Sequence, residues 1–393
     1  MGCTKSRPAY APPTQQPAVV VGPRKPVRPP GQDFFILDSD ANPAPRLHAP
    51  PAASHRPQQQ QQQQQYQYQQ QQHQQQQDEF VLDRETLSIL AQVLDSDKHV
   101  TMVAIPYENL QLQETIGLGV YGEVIKASYH STPVVVKRMP RTAINERSIR
   151  IFREEIELMM HLRHPNIVQF IGASWSSPTN ICFVMEHLQR GDLYAMLRNP
   201  KYNLAWNKKL LQIAIHAARG MAYLHSMDPP IIHRDLKSMN IHVSSSYVAK
   251  ISDFALSRER SVEETMSITG TPLWMAPEMI RGERYSEKAD VYSFGIVLSE
   301  LDTKQTPYNE LTSKKKSTDK VTGVSVLMRR VAFEGLRPRL AEDGLSSVQE
   351  LFTRCVDSTP SARPTFEEII EFLEYNVQHE VNLRFPRGAS YND

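Results

Sequence analysis

The chain has 393 residues, with 44 Lys+Arg against 43 Asp+Glu and a formal net charge of +1. That balance argues against a bulk nucleic-acid binder, which would carry a strong basic excess. Apolar residues make up 40% of the sequence, enough for a sizeable core, while 28 prolines indicate that part of the chain stays outside it. Only three cysteines occur, Cys3, Cys182 and Cys355, and no apolar leader stands at the N-terminus, which points away from a disulfide framework and toward a reducing compartment. There is no run of about 18 apolar residues to span a bilayer.

Residues 1–79 read as a disordered arm. Pro and Ala dominate 8–57, and Gln58 to Gln77 is a glutamine tract broken only by Tyr66, Tyr68 and His73, so too little apolar surface is available to offset chain entropy. The tract is read as a tether, with self-association as the alternative. At the start of the arm, Met1-Gly-Cys-Thr-Lys-Ser6 fits the N-myristoylation pattern with Gly2 as acceptor. One acyl chain binds membranes marginally, so palmitoylation of Cys3 is the expected second anchor. Seven basic residues against three acidic ones in 1–57 favour an anionic lipid surface.

Within 80–106, Leu87, Leu90, Ala91 and Leu94 fall at helical spacing and predict a short amphipathic flanking helix. The folded part follows at 107–378, long enough for two lobes sharing a cleft, and 379–393 is a tail. Strands are expected at Leu110–Thr115, Gly122–Ala127, Val134–Lys137, Val168–Gly172 and Ile181–Met185. One helix interrupts them, with Ile149, Phe152, Ile156, Met159 and Met160 on its apolar face. Beyond Gly191 the periodicity turns helical. Leu210, Ile213, Ala214, Ala217, Ala218 and Met221 form one face, and Val291 to Leu301 is apolar nearly all round, as in a helix buried at a domain centre.

Gly117, Gly119 and Gly122 give G-x-G-x-x-G-x-V ending at Val124, between two predicted strands. Glycines let a tight loop close over phosphates and aim backbone N–H groups at them. A dinucleotide-binding turn would lead into a helix, and here a strand follows, so the context favours a phosphate-covering flap. Lys137 closes the run Val134-Val-Val-Lys137, and Glu155 sits beside the apolar stripe of the interrupting helix, where a carboxylate is costly unless paired. Lys137 is its expected partner, the pair holding the ammonium against phosphate oxygens. Further on stand Ile232-His-Arg-Asp-Leu-Lys-Ser-Met-Asn240, Ile251-Ser-Asp-Phe-Ala255 and Ala276-Pro-Glu278. Asp235, Asn240 and Asp253 offer a carboxylate to accept a hydroxyl proton and oxygen ligands for Mg²⁺.

In this order the motifs resemble those of the eukaryotic protein kinases over about 107–378. The resemblance implies an α+β bilobal kinase fold, with a small antiparallel β-sheet N-lobe carrying one regulatory helix and a larger, mainly helical C-lobe. It implies ATP and Mg²⁺ as cofactors and proteins with Ser/Thr acceptors as substrates. Asp235 becomes the catalytic base, Asn240 and Asp253 the metal ligands, and Lys137 with Glu155 the pair that positions ATP. Ile116, Gly117, Leu118, Gly119, Gly122, Val124, Val135, Lys137, Met185, Glu186, Leu188 and His242 surround the nucleotide, with Met185 as gatekeeper. Lys237 and Thr271 are similar to the positions that mark Ser/Thr specificity. Leu162 to Val168, Asp290 to Gly295 and Arg363 to Phe366 resemble the tyrosine-kinase-like (TKL) group, especially its mixed-lineage and Raf-like members. By the same resemblance Asp290 braces the catalytic loop and Arg363 pairs with Glu278.

Two departures stand out: Ala255 replaces the usual glycine after Asp-Phe, and His242 replaces an apolar residue beneath adenine. They motivate an alternative, a nucleotide-binding pseudokinase scaffold, against which the retained Lys137, Glu155, Asp235, Asn240 and Asp253 weigh. Arg234 suggests control by an upstream kinase phosphorylating Thr265 and Ser267, because a phosphate there would pair with the guanidinium. The expected setting is the cytoplasmic face of the plasma membrane or another membrane, with no nucleic-acid partner. The insert Leu311 to Gly323, with Lys314 to Lys316, reads as a solvated loop.

Overall fold

The computed structural model describes residues 84–119, 122–177, 179–253, 272–312 and 323–386. Gly2 and Cys3 with the whole arm, the 254–271 segment containing Ala255, Thr265, Ser267 and Thr271, residues 313–322 of the insert, and the tail from 387 lie outside the described residues.

Five strands build one antiparallel sheet: β1 (Leu110–Gly119), β2 (Gly122–Tyr129), β3 (Thr132–Arg138), β4 (Phe170–Ser174) and β5 (Cys182–Glu186), in the order β1-β2-β3-β5-β4. Period-2 alternation puts Val134 and Val136 of β3 fully inside, while Val135 and Lys137 take the opposite face. The two-residue turn between β2 and β3, His130-Ser131, has φ of 47° and 63°, the handedness that matches a twisted hairpin. β4 begins two residues later than expected, because Val168 instead donates its N–H to Ile251 O.

Helix α3 (Glu146–His161) lies in the connection from β3 to β4, started by a reciprocal Asn145/Ser148 capping box. It buries Ile149, Phe152, Ile156 and Met159 as expected, together with Leu158, while Met160 is only partly buried. The flanking segment forms α1 (84–95), whose last turn, Ala91–Asp95, is π-helical, and α2 (Lys98–Thr101). Its buried positions are Thr86, Leu90, Val93, Leu94 and Val100; the expected Leu87 and Ala91 face out. Thr86, Leu90, Val93 and Leu94 are themselves at helical spacing, so the buried stripe is turned by about one residue from the expected one, from Thr86 onward.

The remaining part is helical, with a small β6 (Ile241–Val243) and β7 (Ala249–Ile251) hairpin. Its helices are α4 (Leu193–Arg198), α5 (Leu211–His225), α6 (Pro277–Ile280), α7 (Lys288–Thr303), α8 (Asn309–Thr312), α9 (Val324–Phe333), α10 (Ser346–Cys355), α11 (Phe366–Phe372) and α12 (Gln378–Arg384). Every residue of α7 from Ala289 to Leu301 is buried, which is why its sequence shows no polar face. α5 packs on α11, and α7 on α10, where a Cβ on Gly295 would come within 2.7 Å of Val356 Cγ1. This is the bilobal α+β architecture expected from the motifs, and among the described residues no helix is long and apolar enough to cross a membrane.

Candidate active site

The β1–β2 hairpin roofs a cleft of about 480 Å³. Gly119 pairs with Gly122 at its tip, and Gly122 has a φ of +106°, with Arg138 O only 2.5 Å from where a Cβ would stand. No other residue fits there without moving the β3 backbone. Ile116, Gly117, Leu118, Val124, Val135, Lys137, Met185, Glu186, Leu188 and His242 line the cleft, as the sequence suggested. Val168, Asp192 and Ser252 line it too and were not foreseen. Asp192 had a local signal, since Gly-Asp-Leu before an apolar run is a helix start: its side chain accepts from Ala195 N and caps α4.

The linker between the lobes is braced by Glu186, whose Oε1 accepts from Gln169 N at 2.7 Å and from Lys250 Nζ at 2.6 Å. His242 lies on β6, between the inward-facing Ile241 and Val243, and bridges to Asp192. Burial holds its imidazole below the usual pKa, against the pull of Asp253 and Asp192, so it is neutral at neutral pH.

At the back of the cleft Lys137 Nζ bonds to Asp253 Oδ1. The expected Lys137–Glu155 pair is not formed, and Glu155 Oε2 is buried without a hydrogen-bond partner among the described residues. Where Lys137 sits decides the charge of both carboxyls. Burial pushes the Glu155 carboxyl up to about 8 even though Lys137 pulls it down, so its neutral form prevails at pH 7. Asp253 meets the same burial, but the charge and hydrogen bond of Lys137 outweigh it and hold the carboxyl at about 2. The contact with Lys137 is thus what keeps Asp253 ionised, while Glu155, without it, is neutral.

Opposite this pair, Asp235 Oδ2 accepts from Lys237 Nζ at 2.6 Å and from Asn240 Nδ2 at 3.1 Å. Asn240 Nδ2 also donates to Asp235 O, and Ser252 N donates to Asn240 O at 2.9 Å, so the loop is tied to the residue before Asp253. The amide nitrogen of Asn240 being committed, its Oδ1 is left as an acceptor, and the carboxylate of Asp253 follows Ser252, the residue bonded to Asn240 O. That is a hard-oxygen donor set suited to Mg²⁺.

Asp290, fully buried on α7, fixes the loop from below. It accepts from His233 N at 2.8 Å and Arg234 N at 2.9 Å and bonds to His225 Nε2 at 2.9 Å. Arg234 has a φ of 66°, and its Nε and Nη1 are buried without a hydrogen-bond partner among the described residues. Its guanidinium lies 5.6 Å from the Tyr285 ring. Arg363 pairs with Glu278, as expected. A further buried node was not anticipated: Glu300 of α7 accepts from Arg198, from Ser238 in the catalytic loop and from Trp274 Nε1.

Comparison with known sequences agrees with this arrangement. Residues 110–373 match the family described as protein tyrosine and serine/threonine kinase. The chain is 40% identical over 270 residues to "Probable serine/threonine-protein kinase drkA" of Dictyostelium discoideum, a match covering 69% of this chain and 40% of that protein. It is 37% identical over 280 residues to "Serine/threonine-protein kinase CTR1" of Arabidopsis thaliana, covering 70% of this chain and 33% of that one. The match thus spans two fifths or less of each of these relatives. The family match, the sheet with its glycine hairpin and the ordered Lys137, Asp235, Asn240 and Asp253 together establish that the chain belongs to the protein tyrosine and serine/threonine kinase family.

Proposed function

We propose that the protein transfers the γ-phosphoryl group of ATP to Ser and Thr residues of protein substrates, as a kinase of the TKL group. The observation that carries this reading is the convergence, at one cleft, of Asp235 with Lys237 and Asn240 on one side and of Lys137 with Asp253 on the other. Asp235 takes the hydroxyl proton as the substrate oxygen bonds to the γ-phosphorus and the bond to the β,γ-bridging oxygen breaks, releasing ADP. Lys237 offsets charge on the transferring group and holds Asp235 in place. Lys137 neutralises α- and β-phosphate oxygens, with Glu155 as the carboxylate that steadies it once it leaves Asp253. Asp253 and Asn240 would hold Mg²⁺, which supplies charge neutralisation at the phosphates. Relatives named as serine/threonine-protein kinases support the choice of acceptor.

Acylation of Gly2 and Cys3 would place this activity at the inner face of a membrane, supported by the M-G-x-x-x-S start and the basic arm. Arg234, whose Nε and Nη1 have no hydrogen-bond partner among the described residues, supports control by phosphorylation of Thr265 and Ser267 by an upstream kinase.

The test is phosphate transfer from labelled Mg·ATP by the full chain, wild type against Asp235→Asn, with identification of the labelled amino acid. Label on Ser or Thr that vanishes in the variant is expected. Nucleotide binding without transfer, including after treatment with candidate activating kinases, would favour the scaffold reading. Mass spectrometry of the cell-derived chain checks Gly2, Cys3, Thr265 and Ser267 directly.

A further inference from the structure

The family match begins at residue 110, yet the 84–105 segment is built into the N-lobe. Leu90, Leu94 and Val100 are 2%, 0% and 0% exposed and share one core with Ile149, Phe152 and Ile156 of α3. Ile105 N donates to Ala173 O at 2.7 Å, and Ala173 N donates to Val103 O at 3.0 Å, so the segment runs parallel to β4 and covers that edge of the sheet. The fit is close: a Cβ on Gly172 would lie 2.6 Å from both Ile105 Cδ1 and Val103 O. Trp175 Nε1, just beyond β4, donates to Asp95 Oδ1 at 2.8 Å.

The polar contact that matters most is made by Asp97. Its Oδ1 caps α2 through His99 N and Val100 N, and its Oδ2 accepts from Arg153 Nη2 at 2.7 Å. One carboxylate thus joins the flanking segment to α3 at a position two residues before Glu155. The segment packs on α3, and Phe152 and Ile156, the apolar neighbours of Arg153 and Glu155 in the chain, belong to the same buried core as Leu90, Leu94 and Val100.

We propose that residues 84–105 are a clamp belonging to the catalytic unit, in which Asp97, acting through Arg153, is a positioning residue that sets where α3 presents Glu155 to Lys137. This rests on the kinase reading above. Glu155 must take over Lys137 when Asp253 is engaged elsewhere, and that hand-over tolerates little displacement of α3. Loosening the clamp slows the chemical step while leaving the adenine-facing part of the cleft, at Val135, Met185, Leu188 and β6, intact.

The experiment is steady-state kinetics on the full chain with Mg·ATP and dephosphorylated casein, comparing wild type with Asp97→Asn, Arg153→Glu and Arg153→Lys well below their melting temperatures. Asn still caps α2 but loses the ionic contact, and Lys can still reach Asp97. Asp97→Asn and Arg153→Glu are expected to lower kcat by about tenfold with KM for ATP within about threefold, while Arg153→Lys retains most of the activity. Hydrogen exchange should quicken in the 146–161 amides and stay unchanged in α5 and α7. Wild-type kcat in both disruptive variants would overturn the clamp, as would a loss accompanied by general unfolding in Asp97→Asn, which marks a merely structural contact. An inactive wild type, by contrast, would count against the kinase reading itself, and α3 exchange would then decide the clamp alone.

Discussion

Arg363 and Glu278 form a bidentate pair, Nη1 to Oε1 at 2.6 Å and Nη2 to Oε2 at 2.8 Å, with side chains only 0% and 2% exposed. The guanidinium is completed by Asp357 O at 2.8 Å and Lys288 O at 2.9 Å, so α6, the start of α7 and the approach to α11 meet at one cation. Arg363→Ala would strand a buried carboxylate and should cost about 3–5 kcal/mol. Urea unfolding measures it; a loss below about 1 kcal/mol would mean that water reaches Glu278 readily and that the pair is not what holds this junction.

Glu155 gives the fold a pH signature. Its carboxyl is at about 8 in the folded chain against 4.5 for the free side chain, so between these values the folded state binds more protons than the unfolded one and stability falls as pH rises. The stabilisation relative to high pH is complete below 4.5 and is lost as pH climbs through about 8. Glu155→Gln stays neutral and should flatten the pH 7 to 8 part of the stability curve. The same variant should also lose most phosphoryl transfer, because an amide cannot ionise to take over Lys137 once Asp253 is engaged elsewhere. Denaturation at a series of pH values and a kinase assay check the two outcomes separately, and an unchanged slope would place Glu155 in a wetter site than its burial indicates.

His242 tests how much the cleft floor contributes to nucleotide affinity. A neutral imidazole packs beneath a purine much as an aliphatic side chain does, and stacking is worth about 0.5–1.5 kcal/mol. His242→Leu should therefore keep the ATP dissociation constant within about threefold. Calorimetry with a non-hydrolysable ATP analogue gives the value; abolished binding would show that the imidazole makes a polar contact that leucine cannot replace.

What the sequence made legible follows from locality. The β1–β2 flap, the catalytic loop and α7 are written in contiguous residues, through glycine spacing, clustered polar chemistry and an all-apolar helix. The partner of Lys137 was misread because spacing along the chain does not show which of two carboxylates in the assembled cleft, Glu155 or Asp253, lies against the ammonium. The face of α1 was misread because Thr86, Leu90, Val93 and Leu94 keep helical spacing as well as Leu87, Leu90, Ala91 and Leu94 do, and the one buried includes a threonine that an apolar count passes over. Glu300 escaped notice altogether. Its donors Arg198, Ser238 and Trp274 lie far away in sequence, and in α7 it is a lone charge within an apolar run.

That lone charge leads to the last prediction. Glu300 is fully buried, and burial pushes its carboxyl up to about 7 although Ser238, Trp274 and Arg198 all pull it down. Arg198 is the cation among these donors, its Nη2 at 3.2 Å from Oε1. In Arg198→Met the carboxyl should rise further, so the fall of stability with pH should continue above 7, where wild-type Glu300 has largely lost its proton. Glu300→Gln should remove that fall in either background. Chemical denaturation from pH 5 to 9 on the four proteins separates this from the Glu155 contribution, which all of them share. If Arg198→Met left the pH profile of wild type in place, the two hydroxyl and indole donors alone would be setting the charge of Glu300, and the guanidinium would matter for its packing on Tyr194, 3.5 Å from the ring centroid, and its bonds to Tyr194 O and Thr306 Oγ1.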